Sequence, residues 1–441
     1  MKIMVLGAGH VAQALVHALH EQHEVTVIDI DPRRLAALSA RYDVRAVEGD
    51  GTTKHVVRKA GVAESDLFVG CSPREEANLI CAMLVKRLSK AQTIIRTTSA
   101  AYLEAWRERQ IDVDFMVSPE LETANAISAI LGIPAARHTD VFADGKVQIV
   151  EFDVPADADG NQVVGRPLRD AAIPADSKVA ALIRGERMIV PRGDERILPG
   201  DRVIVIAAPA SARAWCRVAG RGDQRVDDVV IFGAGRMGTT IASVLVDRGI
   251  RLRVVDGQLD RVRDVAETMP KVRAFHAQAF DPEFLERERI GRATAAVFCL
   301  NDDAKNLYGA ILAKSHGVRL TIALVHDEIS VDVYERGGVD VAINPRQVTA
   351  EELVRFAHDP RIRQIAMLED DRFEILDITV RPESALVERP FSELPATGSV
   401  IGAVIRNGTV LFPHKSDVLH ADDRVIIFVE SRRAAVVEQA L

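Results

Sequence analysis

Two glycine-rich turns carry the most specific chemistry in this sequence. The first, Gly7-Ala8-Gly9-His10-Val11-Ala12, follows the apolar run Ile3 to Leu6 and opens an amphipathic segment. Its first glycine permits a tight turn, its second lets a pyrophosphate approach the backbone, and Ala12 is small enough for close helix–strand packing. Unpaired N–H groups and the helix dipole attract phosphate at such a turn. Asp29 lies 20 residues beyond Gly9, at the end of the next β-like run. A carboxylate there accepts ribose hydroxyls. It favours NAD(H) or an adenine nucleotide over NADP(H), because it repels a 2′-phosphate. Arg33 and Arg34 read as solvated residues in the first turn of the next helix.

The same grouping returns late in the chain as Gly233-Ala234-Gly235-Arg236-Met237-Gly238, followed by Asp256. Gly7, Asp29 and Asn78 match Gly233, Asp256 and Asn306 at offsets of 226, 227 and 228. Gly49-Asp50-Gly51-Thr52 and Cys71-Ser72 follow further strand-like runs of the first copy, so they line the same crevice. Asp50 and Thr52 could reach a ribose or base there, or form a plain turn and helix cap. Arg96 could meet a phosphate charge, or pair on the surface. In the second copy, His276-Ala277-Gln278-Ala279-Phe280 replaces the Asp50 segment and Leu324 replaces Arg96. The second pocket thus keeps the phosphate turn and loses polar groups around it. Asn78 and Asn306 stand at helix starts, where they cap, face the crevice or bond locally. His17 and His20 read as a packed or solvated helix face. No paired spacing marks a metal site, and no base–nucleophile pair marks a catalytic one.

These residues need strand ends and helix starts brought to one edge. Strand-like runs near 2–6, 24–29, 44–48, 66–70, 92–96 and 113–117 alternate with helical patterns, which predicts a parallel sheet with crossover helices. After Pro134 the runs shorten to KVQIVEFDV, KVAALIR and DRVIVIA, separated by Arg192-Gly193-Asp194 and Pro199-Gly200-Asp201. They predict a small α+β domain, joined by a polar connector near Gly220 to Asp227 to the second copy. Arg166-Pro167 matches Arg389-Pro390. Arg184, Pro191 and Asp201 match Arg406, Pro413 and Asp423 at an offset of 222. The fold class is therefore α/β. Two doubly wound, Rossmann-like domains (1–135 and 226–357) are each followed by a small α+β domain (140–220 and 366–441). A period this long implies duplicated globular domains, not a solenoid.

Composition agrees. The chain of 441 residues is 48% hydrophobic but only 5% aromatic, and its formal net charge is −8 with Lys and Arg scattered. That argues against a general nucleic-acid binder. The four cysteines form no CxxC pair, as expected of a reducing compartment. No apolar run approaches the length of a bilayer span, and a strand-like run from residue 2 leaves no room for a signal peptide. The expectation is a soluble, intracellular protein.

With these residues in view, the sequence resembles the TrkA family of Trk-type potassium uptake regulators, built from regulator-of-potassium-conductance (RCK) N and C domains. GAGHVA with VTVID, EGDGTTKHVVRKAGV, FMVSPELETANAI and VAALIRGERMIVPRGDERILPGDRVIVI carry the resemblance, and it covers essentially the whole chain. It implies a cytoplasmic, peripheral regulatory subunit bound to a TrkH/TrkG-type membrane potassium channel or transporter. It further implies a homo-oligomeric gating ring, with a tetramer favoured, and NAD(H) and ATP or ADP sensed without turnover. Carried over by position, the contacts are Gly7, Gly9, Asp29, Asp50 and Thr52, then Gly233, Gly235, Gly238 and Asp256. His10, Val11, Arg96, Arg236 and Met237 complete the candidate set. The alternatives are an NAD-dependent oxidoreductase, a redox-sensing DNA regulator, or a regulatory subunit of a different cation channel or antiporter. The first would need an acid–base pair near the nicotinamide, the second a DNA-reading module.

Overall fold

The computed structural model describes residues 1–133, 136, 138–143, 145–156, 162–185, 187–218, 226–326, 330–354, 362–368, 372–391, 399–414 and 416–441. Pro134, most of the expected connector and the boundaries drawn at 135, 220 and 357 fall outside them.

The first unit alternates strand and helix: β1 (Lys2–Leu6), α1 (His10–Leu19), β2 (Glu24–Asp29), α2 (Pro32–Ser39), β3 (Arg45–Glu48), α3 (Lys54–Lys59), β4 (Leu67–Gly70), α4 (Glu75–Leu88), β5 (Gln92–Arg96), α5 (Ala100–Arg107), β6 (Phe115–Val117) and α6 (Pro119–Gly132). All strand pairs are parallel, in the order β3-β2-β1-β4-β5-β6. Leu67 to Gly70 is buried along its whole length, as a strand covered on both faces must be. The order reverses between β1 and β4. This switch point leaves a crevice at the carboxyl ends of the strands.

A five-stranded antiparallel sheet follows, made of β7 (His138–Phe142), β8 (Val147–Asp153), β9 (Ser177–Arg184), β10 (Arg187–Ile189) and β11 (Arg202–Ala207), with α7 (Pro209–Val218) on one face. The fully buried Trp215 of α7 anchors that face, donating its indole N–H to Ser177 Oγ at 3.0 Å.

The second unit repeats the first: β12 (Asp228–Phe232), α8 (Arg236–Leu245), β13 (Arg251–Asp256), α9 (Leu259–Thr268), β14 (Arg273–His276), α10 (Pro282–Arg287), β15 (Ala295–Phe298), α11 (Asp303–Ser315), β16 (Leu320–Leu324), α12 (Ser330–Arg336), β17 (Val341–Ile343) and α13 (Pro345–Val354). Its sheet has the same parallel order, β14-β13-β12-β15-β16-β17. The second small sheet comprises β18 (Ile362–Leu368), β19 (Phe373–Thr379), β20 (Val400–Arg406), β21 (Thr409–Leu411) and β22 (Arg424–Glu430), closed by α14 (Ser431–Ala440).

The two units are interlocked. Ala124, Ile127, Ile130 and Leu131 of α6 are buried in the core of the second nucleotide-type unit. In return, Leu353 and Val354 of α13 are buried in the core of the first. Thus α6 packs on α8 while α13 packs on α1, and α6 and α13 touch each other. The small sheets also stack, with Phe142, Ile149 and Ile206 sharing one apolar layer with Phe373, Ile375 and Phe428. Both pairings are reciprocal, so the chain is a pseudo-twofold dimer within one polypeptide.

Candidate functional site

Gly7 takes φ +107°, a region that disfavours side chains. A Cβ there would also stand 3.0 Å from Ser72 N. Gly233 repeats this with φ +115° and Cys299 O at 2.9 Å. The two turns are thus wedged against the ends of β4 and β15, at the switch points. Gly9 and Gly235 then begin α1 and α8 without any side-chain cap. A Cβ on either would meet nothing within 4 Å. Each helix start therefore offers N–H groups to open space, the geometry an anionic group requires. Val11 and Met237 turn their side chains onto the cores. A Cβ on Gly238 would collide with Gly233 O at 1.8 Å, whereas the first copy fits the methyl of Ala12, fully buried.

Asp29 is buried, and its carboxylate first of all holds the turn. Oδ2 accepts from Ala8 N–H at 2.6 Å and Oδ1 from Asp31 N–H at 2.8 Å. Asp256 does the same for Ala234 N–H at 2.7 Å and Gln258 N–H at 2.7 Å. Each carboxylate oxygen has a second acceptor position for a ribose hydroxyl. Ile30, beside Asp29, is 60% exposed at the rim.

Asp50 and Thr52 bond to each other. Asp50 Oδ1 accepts from Thr52 N–H at 2.9 Å and from its hydroxyl at 2.8 Å, which holds the Asp50 carboxyl below its ordinary value. The turn-and-cap expectation thus describes their local structure. In the second copy Gln278 lies over Gly257, where a Cβ would meet Nε2 at 2.8 Å, and Phe280 packs edge-on against Tyr308 at 5.5 Å. That crevice is correspondingly less polar. Arg33 and Arg34 are exposed in the first turn of α2.

Asn78 and Asn306 are local clamps. Asn78 Oδ1 accepts from Ser72 N–H at 3.1 Å, while Nδ2 donates to Ser72 O at 2.9 Å and Arg96 O at 3.3 Å. Asn306 makes the same three bonds to Leu300 and Leu324. Each ties two strand ends together. In the first copy one of those ends carries Arg96, whose buried Nε has no hydrogen-bond partner. Cys71 lies near both Arg96 and Asp29, and burial pushes its thiol up to about 12. His17 and His20 pack against Tyr42. Among the described residues, no group of three His, Cys, Asp or Glu is placed to hold a metal ion.

Contacts between the copies were not visible in the spacing. Arg236 reaches away from its own turn and donates to Thr98 Oγ1 of the first unit at 2.9 Å. Its Nε lies 3.9 Å from Glu120 Oε1, whose other oxygen is buried without a partner. Thr98 in turn donates to Glu75 at 2.5 Å. At matching places in the second unit, Asp303 accepts from His326 Nδ1 at 2.6 Å, and Arg346 donates to His326 O at 2.7 Å. A signal was present: Arg236, Thr98 and Glu120 match His10, His326 and Arg346, so the two copies differ at these positions.

The TrkA-N domain model matches residues 3–119 and 229–345, and the TrkA-C domain model matches 149–220 and 375–441. The chain belongs to the TrkA family. The Trk system potassium uptake protein TrkA of Halomonas elongata is 31% identical over 447 residues, covering 98% of this chain and 96% of that protein. A TrkA homolog of Archaeoglobus fulgidus is 29% identical over 433 residues, covering 98% and 97%. Among solved structures, the GsuK RCK domain superposes with TM-score 0.60 at 18% identity, covering all of this chain and 94% of that one. The GsuK channel bound to NAD gives 0.60 at 17%, covering 100% and 78%. GsuK bound to ADP gives 0.50 at 14%, covering 81% and 70%. These structures share the TrkA-family fold of paired parallel-sheet and small-sheet domains.

Proposed function

We propose that this chain is a nucleotide-sensing regulatory subunit of a potassium uptake system and does not turn its ligands over. One arrangement carries this: the two uncapped glycine turns start α1 and α8, the helices on which α13 and α6 of the opposite unit pack, so a ligand at either turn would lie beside the joint between units. Gly7, Gly9, His10, Val11, Asp29, Asp50, Thr52 and Arg96 would hold the first nucleotide. Gly233, Gly235, Arg236, Met237, Gly238 and Asp256 would hold the second. Open space at Gly9 and the unpartnered Arg96 Nε fit a phosphate. Asp29 fits the ribose of NAD(H), or of ATP or ADP. The Trk potassium uptake relatives, and the NAD-bound and ADP-bound forms of GsuK, support the same choice.

Regulation follows if ligands prefer different arrangements of the two units; a ligand that binds both equally shifts nothing. A rigid-body movement at the α6–α8 and α1–α13 contacts would then pull on a TrkH/TrkG-type membrane partner. No helix among the described residues is long and apolar enough to cross a membrane, which suits a cytoplasmic subunit held at the membrane by that partner. Assembly into a ring, four chains favoured, has a candidate surface. Ile80 and Met83 on α4 are 44% and 58% exposed, and Tyr308 and Ile311, their matches on α11, are 57% and 39% exposed. Both copies thus present an apolar helix face.

Calorimetric titration with NADH, ADP and ATP tests the ligand step. Asp29→Ala is expected to weaken binding about tenfold, the loss of one or two hydrogen bonds to a charged group, and to lower the melting midpoint, since the Ala8 N–H loses its acceptor. Unaltered affinity would remove Asp29 from the site. Steady hydride transfer to a substrate would replace the sensor with the oxidoreductase alternative. Co-purification with a membrane potassium transporter tests the partner.

A further inference from the structure

The two crevices differ at the ribose end. In the first unit β2 and β3 lie side by side with Asp29 opposite Glu48, and in the second β13 and β14 set Asp256 opposite His276. Beyond the carboxylate, Ile30 and Asp31 match Gly257 and Gln258, and Arg34 matches Arg261. The bonding agrees with this alignment, since the Asp31 and Gln258 N–H groups each donate to the carboxylate two residues back. The first carboxylate thus has two further acids beside it, and the second has a neutral amide and an imidazole in their places. The reverse exchange, Arg33 for Asp260, falls on a residue that pairs with Arg263 at 3.8 Å. The two arginines then part company. Arg34 Nε lies 3.6 Å from Asp31 Oδ2. Gln258 offers no such charge, and Arg261 Nη1 lies 3.6 Å from Asp256 Oδ2 instead.

We propose that the second crevice selects nucleotides that carry a phosphate on the adenosine ribose, of the NADP(H) type, and that Arg261 binds that phosphate. The proposal rests on the nucleotide-binding role argued above. A lone carboxylate at this place repels a 2′-phosphate, whereas an arginine accommodates one. At 3.6 Å Arg261 and Asp256 attract as ions without sharing a hydrogen bond. The pair therefore uses none of the guanidinium N–H donors, and their fork fits a phosphate through two parallel bonds. The Arg261 side chain is 41% exposed and that of Asp256 only 6%, so the cation is the member of the pair that an arriving phosphate can reach. The lining changes in the same sense. Ile30, at the rim of the first crevice, gives way to Gly257, and Gln278 brings its amide there, with Nε2 2.8 Å from where a glycine Cβ would stand. His276 Nε2 lies 3.1 Å from Gly257 O. Two polar side chains thus stand beside the position that an aliphatic one holds in the first copy.

Each crevice can be closed separately in the full chain. Gly9 and Gly235 have ordinary φ values, −79° and −71°, and room for a side chain. Gly9→Asp or Gly235→Asp places a carboxylate on the helix N–H groups that a ligand phosphate would use, and caps the helix in doing so. Titrated by calorimetry, the Gly9→Asp chain is expected to bind NADP about tenfold more tightly than NAD, and the Gly235→Asp chain to show the opposite order. Arg261→Gln added to Gly9→Asp should abolish the NADP preference, and Arg261→Lys should retain part of it. Adenosine 2′,5′-bisphosphate should displace NADP from the Gly9→Asp chain, and ADP should do so about tenfold less well. NADP binding to the Gly9→Asp chain no tighter than NAD, or a preference that survives Arg261→Gln, would overturn the proposal and leave the nucleotide role standing. Absence of binding by NAD, NADP and ADP to the unaltered chain would overturn the nucleotide role itself.

Discussion

At the scale of single residues, the two copies keep what builds the turn and change what surrounds it. Asp29 and Asp256 each spend one hydrogen bond on the alanine N–H within the glycine turn, so either carboxylate shapes the cradle as well as facing it. The small domains hold a second repeated pair. Arg184 grips Asp201 through Nε and Nη2, both at 2.8 Å, and Arg406 grips Asp423 at 2.9 and 2.7 Å. Burial alone would raise the Asp423 carboxyl, but the Arg406 bonds and the His420 N–H outweigh it and hold it below its ordinary value. A depressed carboxyl contributes stability that is present above its unfolded value, near 3.9, and lost as pH falls through the folded value. Thermal midpoints measured from pH 5 downward should therefore drop more steeply for the parent than for Asp423→Asn. Arg406→Ala, which leaves a buried carboxylate unpaired, should cost about 3–5 kcal/mol in denaturant unfolding. An Arg406→Ala chain as stable as the parent would show that the pair contributes nothing.

At the scale of elements, α6 and α13 belong to one sheet by sequence and to the other by packing. Ile127 is fully buried in the second unit's core. Ile127→Ala should therefore cost about 2–5 kcal/mol and loosen both units in a single transition. Hydrogen exchange in α8 as well as α6 would report this, and protection unchanged in α8 would contradict it. The sheets themselves were legible beforehand: a buried parallel strand is a short apolar run, and β1, β2, β4 and β5 stand within a residue of where the runs predicted them. The exchange was not. Pro119–Gly132 carries apolar residues that pack outside its own sheet, and periodicity shows that a face is buried without naming its partner. The same holds for Arg236, whose position in the turn was plain but whose reach to Thr98 depends on a contact between units. Asn78 was open between cap, crevice and local bonding, because all three place an asparagine near a helix start; only the positions of Ser72 and Arg96 decide it.

At the scale of the whole molecule, the chain is two similar halves that complete one another. Residues 1–218 alone would leave Ala124, Ile127, Ile130 and Leu131 without the core that covers them. A second copy of the half supplies the nearest substitute, so light scattering of that fragment should give a dimer; a stable monomer would mean that α6 folds back on its own sheet. The same interlock sets a timetable for synthesis. Helix α6 ends at Gly132 and its reciprocal, α13, begins at Pro345. At about 5–20 residues per second, roughly 10–40 s pass before the ribosome delivers the segment that closes the exchange. For that interval the part of the first core that Leu353 and Val354 of α13 cover stays open, and a neighbouring nascent chain can offer the same surface. Yield of correctly closed protein should then depend on translation speed and on how crowded the message is with ribosomes, a cost that falls on the cell before any ligand is sensed.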